Sequence, residues 1–299
     1  MAAPTLFDEA TRRKLEQITL WSARVRAGAI KGERRSTRRG TSIEFADYRS
    51  YTRGDDLRRL DWNIYARLQR PYIKLLEDEE DLAVHILVDT SASMDWPPGQ
   101  DSGANKFAFA RRVAAALAYV ALNASDRAVL LGASSQRVES FGPARGRGRS
   151  VGMLIFVDGL RAGGVTDLNE ALAAYALRAA RPGLTIVISD VFSPSGYLDG
   201  VNALLGRGHE VALIHTLAPE ELAPPLAGDL RLIDVETGQP QEVTVDAAMR
   251  DLYDRRLTAW LDGIRADLTR RGAHYALADT GAPWEKLVLS QLRRQGLVR

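Results

Sequence analysis

Two apolar stretches of the sequence each end in an aspartate. Two serines follow the first stretch closely, and a threonine lies between the two stretches. HILVD ends at Asp89 and is followed by Ser91 and Ser93, whereas TIVISD ends at Asp190. Between the stretches, the Gly-rich segment GGVTD places Thr166 just before a helical pattern. All five side chains offer oxygen, and oxygen ligands suit a hard divalent cation such as Mg²⁺. Their types therefore favour a metal site if the fold brings them together.

The elements that must position these residues are strands and helices in alternation. LAVHILVD, RAVLLGAS, LTIVISD and EVALIHTL are near-continuous apolar runs, as expected of strands covered on both faces. Helical spacing is found over residues 5–29, 106–123, 167–181, 246–271 and 284–295. This alternation predicts an α/β fold with a doubly wound, mostly parallel sheet flanked by helices. Ligands bind such sheets beyond the carboxyl ends of the strands, where Asp89 and Asp190 are predicted to stand.

A simple turn is the competing interpretation of the DTSAS segment. Aspartate or serine after a strand often caps a helix or closes a turn, so the segment alone leaves both interpretations open. Thr166 and Asp190 add two more oxygen groups at strand-to-helix junctions, and the full set favours the metal site. A degenerate site that stays without metal in the cell remains the alternative.

Taken in order, the five residues resemble the metal-ion-dependent adhesion site of von Willebrand factor A-like domains. That pattern is Asp-x-Ser-x-Ser after a strand, a threonine before a helix and an aspartate after a later strand. The resemblance implies that Ser91, Ser93 and Thr166 bind the metal directly, and that Asp89 and Asp190 hold it directly or through waters. Mg²⁺ is the expected ion, with Mn²⁺ or Ca²⁺ as other hard cations. The implied fold is Rossmann-type.

A block of charged and aromatic residues precedes the first buried strand, and its recognisable pieces are Glu44-Phe45, Tyr48-Arg49, Gly54-Asp55-Asp56, Asp61-Trp62 and Ala66-Arg67. This block resembles the hallmark block of a bacterial family called domain of unknown function 58. The resemblance predicts an N-terminal helical and extended arm, residues 1–80, packed on a von Willebrand factor A-like domain, residues 81–299. It also implies a MoxR-type AAA+ ATPase as partner. Trp62 and Tyr65 are expected to pack against the core, because aromatic side chains bury large areas.

The ligand types point to binding rather than catalysis. A cation held mostly by neutral hydroxyls keeps much of its charge and seeks one more anionic oxygen, which a glutamate or aspartate of a partner protein can supply. We therefore expect a non-enzymatic, Mg²⁺-dependent adaptor that docks an acidic residue of its partner, working with a AAA+ ATPase in the assembly or activation of other complexes.

Two other function classes stay open. A metal-dependent hydrolase also places aspartate after a parallel strand, but the haloacid-dehalogenase pattern needs a second aspartate where Ser91 stands. The sequence has no Walker lysine loop. Nucleic-acid binding would use the basic cluster from Arg24 to Arg39, which carries seven Lys/Arg and one acid. This cluster lacks interleaved aromatics, so a solvated arm or a contact with an acidic partner is favoured.

Composition is that of an ordinary globular chain. The sequence has 299 residues, a formal net charge of +2 and no cysteine, which excludes disulfides and thiolate chemistry. The longest apolar stretch starts at Val113 and runs for roughly twelve residues, whereas a membrane span needs about twenty. We therefore expect no membrane span and a cytoplasmic protein.

Overall fold

The computed structural model divides into two compact units. One unit contains the described residues up to 22 and from 82 onward, and the other contains the described residues between 43 and 81. The predicted arm, residues 1–80, is thus split between the units, and its docking on the main domain stays a prediction. The structure describes residues 6–22, 43–52, 60–78, 81–98, 104–134, 137–165, 167–235 and 238–299.

Ten strands and ten α-helices are found in the described residues. The strands are β1 (Ile43–Ser50), β2 (Tyr72–Asp78), β3 (Ala83–Asp89), β4 (Arg127–Ser134), β5 (Arg137–Arg145), β6 (Leu184–Ser189), β7 (Glu210–Leu217), β8 (Gly228–Ile233), β9 (Pro240–Val245) and β10 (His274–Asp279). The helices are α1 (Glu9–Leu15), α2 (Trp62–Leu68), α3 (Lys106–Asn123), α4 (Ser150–Gly159), α5 (Leu168–Arg178), α6 (Leu198–Gly206), α7 (Pro219–Leu222), α8 (Ala247–Arg270), α9 (Trp284–Lys286) and α10 (Leu292–Arg294). A π-helical segment, Leu287–Gln291, joins α9 to α10.

Six strands form the central sheet, in the spatial order β10-β7-β6-β3-β4-β5. All neighbouring pairs are parallel except β4 and β5, so the predicted mostly parallel sheet flanked by helices is confirmed. The antiparallel edge strand β5 was not predicted, because Gly142 and Pro143 give its sequence the character of a loop. Proline lacks a backbone donor and is tolerated in an edge strand, where one row of hydrogen bonds is not needed.

Helices cover both faces of this sheet. Val84, Ile86 and Val88 face the long helix α3, of whose 18 residues 14 are buried. On the opposite face, Leu87 and Val187 pack with side chains of α5, α6 and α8. Burial on both sides explains why the central strands are apolar along their whole length. No helix in the described part of the chain is long and apolar enough to cross a bilayer.

The chain reverses its direction of travel across the sheet between β3 and β6. From β3 it proceeds outward through β4 to β5, and from β6 it proceeds the other way through β7 to β10. Connections therefore leave these two neighbouring strands in opposite directions, which opens a crevice beyond their carboxyl ends. Asp89 ends β3 and Asp190 directly follows β6, so both aspartates stand at this crevice.

The smaller unit pairs β1 and β2 as antiparallel strands and contains helix α2. Asp61 caps this helix by accepting hydrogen bonds from the backbone N–H groups of Asn63 and Ile64, at 2.9 and 3.2 Å. The expectation that Trp62 and Tyr65 pack against a core is wrong, because their side chains are 64% and 44% exposed. Helix α2 buries none of its residues and is held through its cap instead.

The close approach of β3 and β6 leaves no room for a side chain at Gly183, which gives a first prediction. A Cβ atom there would lie 2.0 Å from the carbonyl oxygen of Ala83. We expect Gly183→Ala to lower the free energy of unfolding by ~2 kcal/mol or more in urea titrations, since backbone atoms must move. The control is Gly263→Ala in α8, where a Cβ meets nothing within 4 Å. That change should raise stability by about 0.5–1 kcal/mol. Equal effects of the two substitutions would contradict this account of the β3–β6 contact.

A buried histidine pair gives a second prediction. His85 of β3 lies with its Nδ1 2.5 Å from the Tyr175 hydroxyl and its ring 5.0 Å from that of His209. Burial, and then the neighbouring His209, lower the pKa of His85 from 6.5 to about 4. The unfolded chain thus binds the proton more readily. The contribution of His85 to the free energy of unfolding is fully present above pH 6.5 and falls by about 3 kcal/mol as the pH drops to about 4.

His85→Asn should flatten this pH dependence, measured as the free energy of unfolding between pH 7 and pH 4.5. Tyr175→Phe is the control, because it removes the hydroxyl but leaves the imidazole buried and the slope in place. An unchanged slope in His85→Asn would show that other groups govern the acid sensitivity.

Candidate metal centre

Asp89 is fixed by hydrogen bonds to both of its carboxylate oxygens. Its Oδ1 accepts from the Ser91 backbone N–H at 2.9 Å, and its Oδ2 accepts from the Ser189 hydroxyl at 2.6 Å. Burial, followed by the nearby charge of Asp190, raises the pKa of Asp89, while the bonds from Ser189 and Ser91 act in the opposite direction. The carboxylate is therefore rigidly held in a place where further positive charge would stabilise its ionised form.

Ser91 and Ser93 face each other directly after β3. Their hydroxyl oxygens lie 3.0 Å apart, with Ser91 buried and Ser93 half-buried. The Gly-rich loop lies against this turn, since the Ala92 N–H donates to the Gly164 carbonyl and the Gly163 N–H donates to the Thr90 carbonyl, both at 2.8 Å. This loop leads to the predicted ligand Thr166, which lies outside the described residues.

Asp190 stands across the crevice from Asp89 and is buried. Its Oδ1 accepts from the Phe192 N–H at 3.1 Å, and its Oδ2 accepts from the Lys106 ammonium at 2.7 Å. Val191, which follows, has a φ of 60°. A left-handed conformation is strained for a β-branched residue, and the Val191 N–H is held there by the Ser189 hydroxyl at 2.9 Å. Ser189 thus bonds to Asp89 and supports the turn that carries Asp190.

Lys106 and Glu221 also belong to this centre, although neither was predicted from the sequence. Lys106 is the first residue of α3 and is fully buried, and its Nζ lies 2.7 Å from Asp190 and 2.7 Å from Glu221 of α7. The only sequence signal for it is a lysine at the start of a mostly apolar helix. Glu221 lies in a Pro-rich segment and carries no signal of this kind.

Comparison with known proteins identifies the family. The family described as Protein of unknown function DUF58 matches residues 47–260. The chain belongs to this family. The matched range contains most of the block that suggested it, as well as every residue of the candidate centre. The family itself is therefore confirmed.

Relatives of this DUF58 protein occur in mycobacteria. Uncharacterized protein Rv1480 of Mycobacterium tuberculosis and Uncharacterized protein Mb1516 of Mycobacterium bovis are each 32% identical over 250 residues. Those residues cover 81% of this chain and 75% of either relative. Among solved structures, the conserved hypothetical protein BatB from Bacteroides thetaiotaomicron is 15% identical with a TM-score of 0.44, over 72% of this chain and 98% of BatB. An aerotolerance-related membrane protein from Bacteroides fragilis is 15% identical with a TM-score of 0.41, over 71% of this chain and 99% of that structure.

The spacing of the hydroxyls in the DUF58 protein fits a Mg²⁺ ion. Octahedral Mg²⁺ binds oxygen at about 2.1 Å, which places neighbouring ligands about 3 Å apart. The hydroxyl oxygens of Ser91 and Ser93, which hydrogen-bond to each other at 3.0 Å, already lie at about that separation. Within the described ranges, no group of three or more histidine, aspartate or glutamate side chains is placed to hold a metal. The residues that would hold the ion are Ser91 and Ser93, with Asp89 and Asp190 acting directly or through waters.

The four histidines of the DUF58 protein support the fold around this centre. His215 joins the Tyr275 hydroxyl to the Asp190 carbonyl oxygen, at 3.0 Å each, and burial lowers its pKa to about 4. His274 pairs with Glu210, and His85 lies beside His209. In the described part of the chain, no hydrogen bond joins a histidine to Ser91 or Ser93, as a serine nucleophile would need. The basic cluster from Arg24 to Arg39 lies outside the described residues.

Ser189 gives a third prediction, since its hydroxyl links both sides of the centre. Ser189→Ala should lower the free energy of unfolding by about 2 kcal/mol, because the Asp89 carboxylate and the Val191 N–H each lose a buried partner. Ser195→Ala is the matched control, since that hydroxyl is exposed and bonds to Asp167. Its effect should stay within about 0.5 kcal/mol. Urea unfolding of both variants measures the difference, and similar losses would contradict the role assigned to Ser189.

Proposed function

We propose that this protein is a non-enzymatic interaction module whose larger unit is a von Willebrand factor A-like domain with a metal-ion-dependent adhesion site. The observation that carries the proposal is the pair of facing hydroxyls, Ser91 and Ser93, together with two buried carboxylates, Asp89 and Asp190, at the ends of neighbouring strands. The strand order, with its single antiparallel edge strand, supports the same domain type.

The ligand chemistry determines what such a site does. Mg²⁺ supplies a Lewis-acidic centre that binds one more anionic oxygen. Ser91 and Ser93 offer neutral oxygens, while Asp89 and Asp190 are already engaged by hydrogen-bond donors of the protein itself. The protein thus leaves one anionic position to be filled from outside, and a glutamate or aspartate of a partner protein has the right charge and length.

Exposed apolar side chains near the centre favour a protein as the partner. Trp96, Val165 and Phe192 are 43%, 37% and 43% exposed, and each follows or precedes a predicted site residue closely in the chain. Large apolar groups around a polar centre are typical of protein interfaces, where aromatic residues contribute much of the affinity. The partner segment is therefore expected to carry an acidic residue flanked by apolar ones.

The partner class follows from the family resemblance alone. Proteins of this family often work beside MoxR-type AAA+ ATPases, and we propose such an ATPase as the partner. The adaptor would then act in the assembly or activation of other complexes.

Metal-dependent binding is the fourth prediction. Mg²⁺ should raise the melting temperature of the wild-type protein and give a heat of binding in titration calorimetry, because it binds only the folded state. The double variant Ser91→Ala, Ser93→Ala should lose both responses, whereas Ser195→Ala should keep them. A wild-type protein that responds to neither Mg²⁺ nor Mn²⁺ at millimolar concentration would refute the metal site.

The adaptor role needs a partner-binding measurement. A MoxR-type ATPase from the same genome should be retained by immobilised wild-type protein in Mg²⁺ and released by a chelator. Immobilised Asp89→Ala protein should retain no ATPase. Equal retention by wild type in Mg²⁺, by wild type with chelator and by Asp89→Ala would exclude the adhesion site as the docking point.

A further inference from the structure

A lysine occupies a fully buried position in the candidate centre. The Lys106 side chain is 0% exposed, and its ammonium lies 2.7 Å from Asp190 Oδ2 and 2.7 Å from Glu221 Oε1. The same ammonium lies 4.9 Å from the centre of the Phe192 ring. Lysine is almost never fully buried unless it is paired, so these contacts are what allow it to be there.

Stability alone is a weak explanation for this arrangement. A buried ion pair gains little over well-packed apolar residues, because its charges lose their hydration. Lys106 is also the first residue of α3, where the helix dipole disfavours a positive charge. The position therefore carries two energetic costs that an apolar residue would avoid. A role for the charge itself is the better explanation.

The Lys106 charge acts on Asp190, whose Oδ2 accepts a hydrogen bond from the ammonium. Glu221 shares the ammonium and draws part of its charge away from Asp190.

We propose that Lys106 sets the metal affinity of the centre, acting as a fixed internal cation that keeps the site weak for a divalent ion by itself. This inference rests on the proposed adhesion site. The repulsion between the ammonium and the incoming cation lowers affinity for the free metal. A partner carboxylate supplies the missing negative charge, so metal and partner bind more tightly together than either binds alone. Lys106 is accordingly a positioning residue that works through Asp190.

The Phe192 ring lies between the Lys106 ammonium and the surface where the partner is expected to bind. Phe192 is 43% exposed and is stacked on Trp260, with ring centres 5.6 Å apart and an interplanar angle of 9°. The Phe192 ring is thus partly exposed to solvent and also lies close to the buried Lys106 ammonium. A partner that contacts Phe192 lies close to the charge that limits metal binding.

The test compares two substitutions in the same ion-paired cluster, which should change the metal affinity in opposite directions. Lys106→Gln removes the positive charge but keeps a hydrogen-bond donor, and Mg²⁺ and Mn²⁺ affinity measured by titration calorimetry should rise by about tenfold or more. Glu221→Gln leaves the whole ammonium charge to Asp190, and the affinity should fall several-fold. Lys106→Arg retains the charge and should stay near the wild-type affinity.

The outcomes separate this inference from the proposed function. A merely structural role would weaken metal binding in both Lys106→Gln and Glu221→Gln, and that result overturns the inference. Equal affinity in wild type and Lys106→Gln overturns it as well, while leaving the adhesion site standing. If no variant binds either metal, both proposals fail. Should Lys106→Gln not fold, an unchanged or higher affinity in Glu221→Gln is sufficient to reject the inference.

Discussion

Two carboxylates buried at the ends of neighbouring parallel strands impose the constraint on which the rest of the centre depends. The register pairs Val88 of β3 with Ile188 of β6, so the aspartates that follow emerge on the same edge of the sheet. Burial and mutual repulsion both disfavour two ionised groups there, as the raised pKa of Asp89 reflects. The backbone N–H of Ser91, the hydroxyl of Ser189 and the ammonium of Lys106 each offset part of that cost.

These compensating groups come from different parts of the fold, and this explains its local geometry. Ser189, the last residue of β6, bonds to Asp89 and also holds the N–H of Val191, which takes up a strained conformation in the turn that follows. Lys106 reaches Asp190 from the start of α3, next to the capping residue Asn105. The strands thus bring the charges together, and the loops and helix ends adapt to them.

The sequence predicted those features that follow from a local pattern of residues along the chain. It did not predict features that depend on contacts between residues far apart in the sequence. The apolar runs of β3, β6 and β7 predicted the buried sheet, and the aspartates at the ends of the β3 and β6 runs predicted the place of the centre. Lys106 and Glu221 were missed because they are 84 and 31 residues from Asp190, with no local pattern linking them. Strand β5 was missed because Gly142 and Pro143 resemble a loop. In helix α2 the sequence predicted a contact that is not there, because the aromatic residues suggested burial whereas Trp62 is exposed.

The β8–β9 hairpin has a practical consequence for labelling the molecule. Its strands are almost wholly exposed along both edges and faces, and they pair only with each other. The hairpin follows α7, which carries Glu221, and Asp234 and Val235 after β8 are exposed. Exposed loop positions tolerate inserted sequence well. A small fluorescent reporter placed there would let binding at the crevice be followed optically, with the chemistry of the aspartates left as it is.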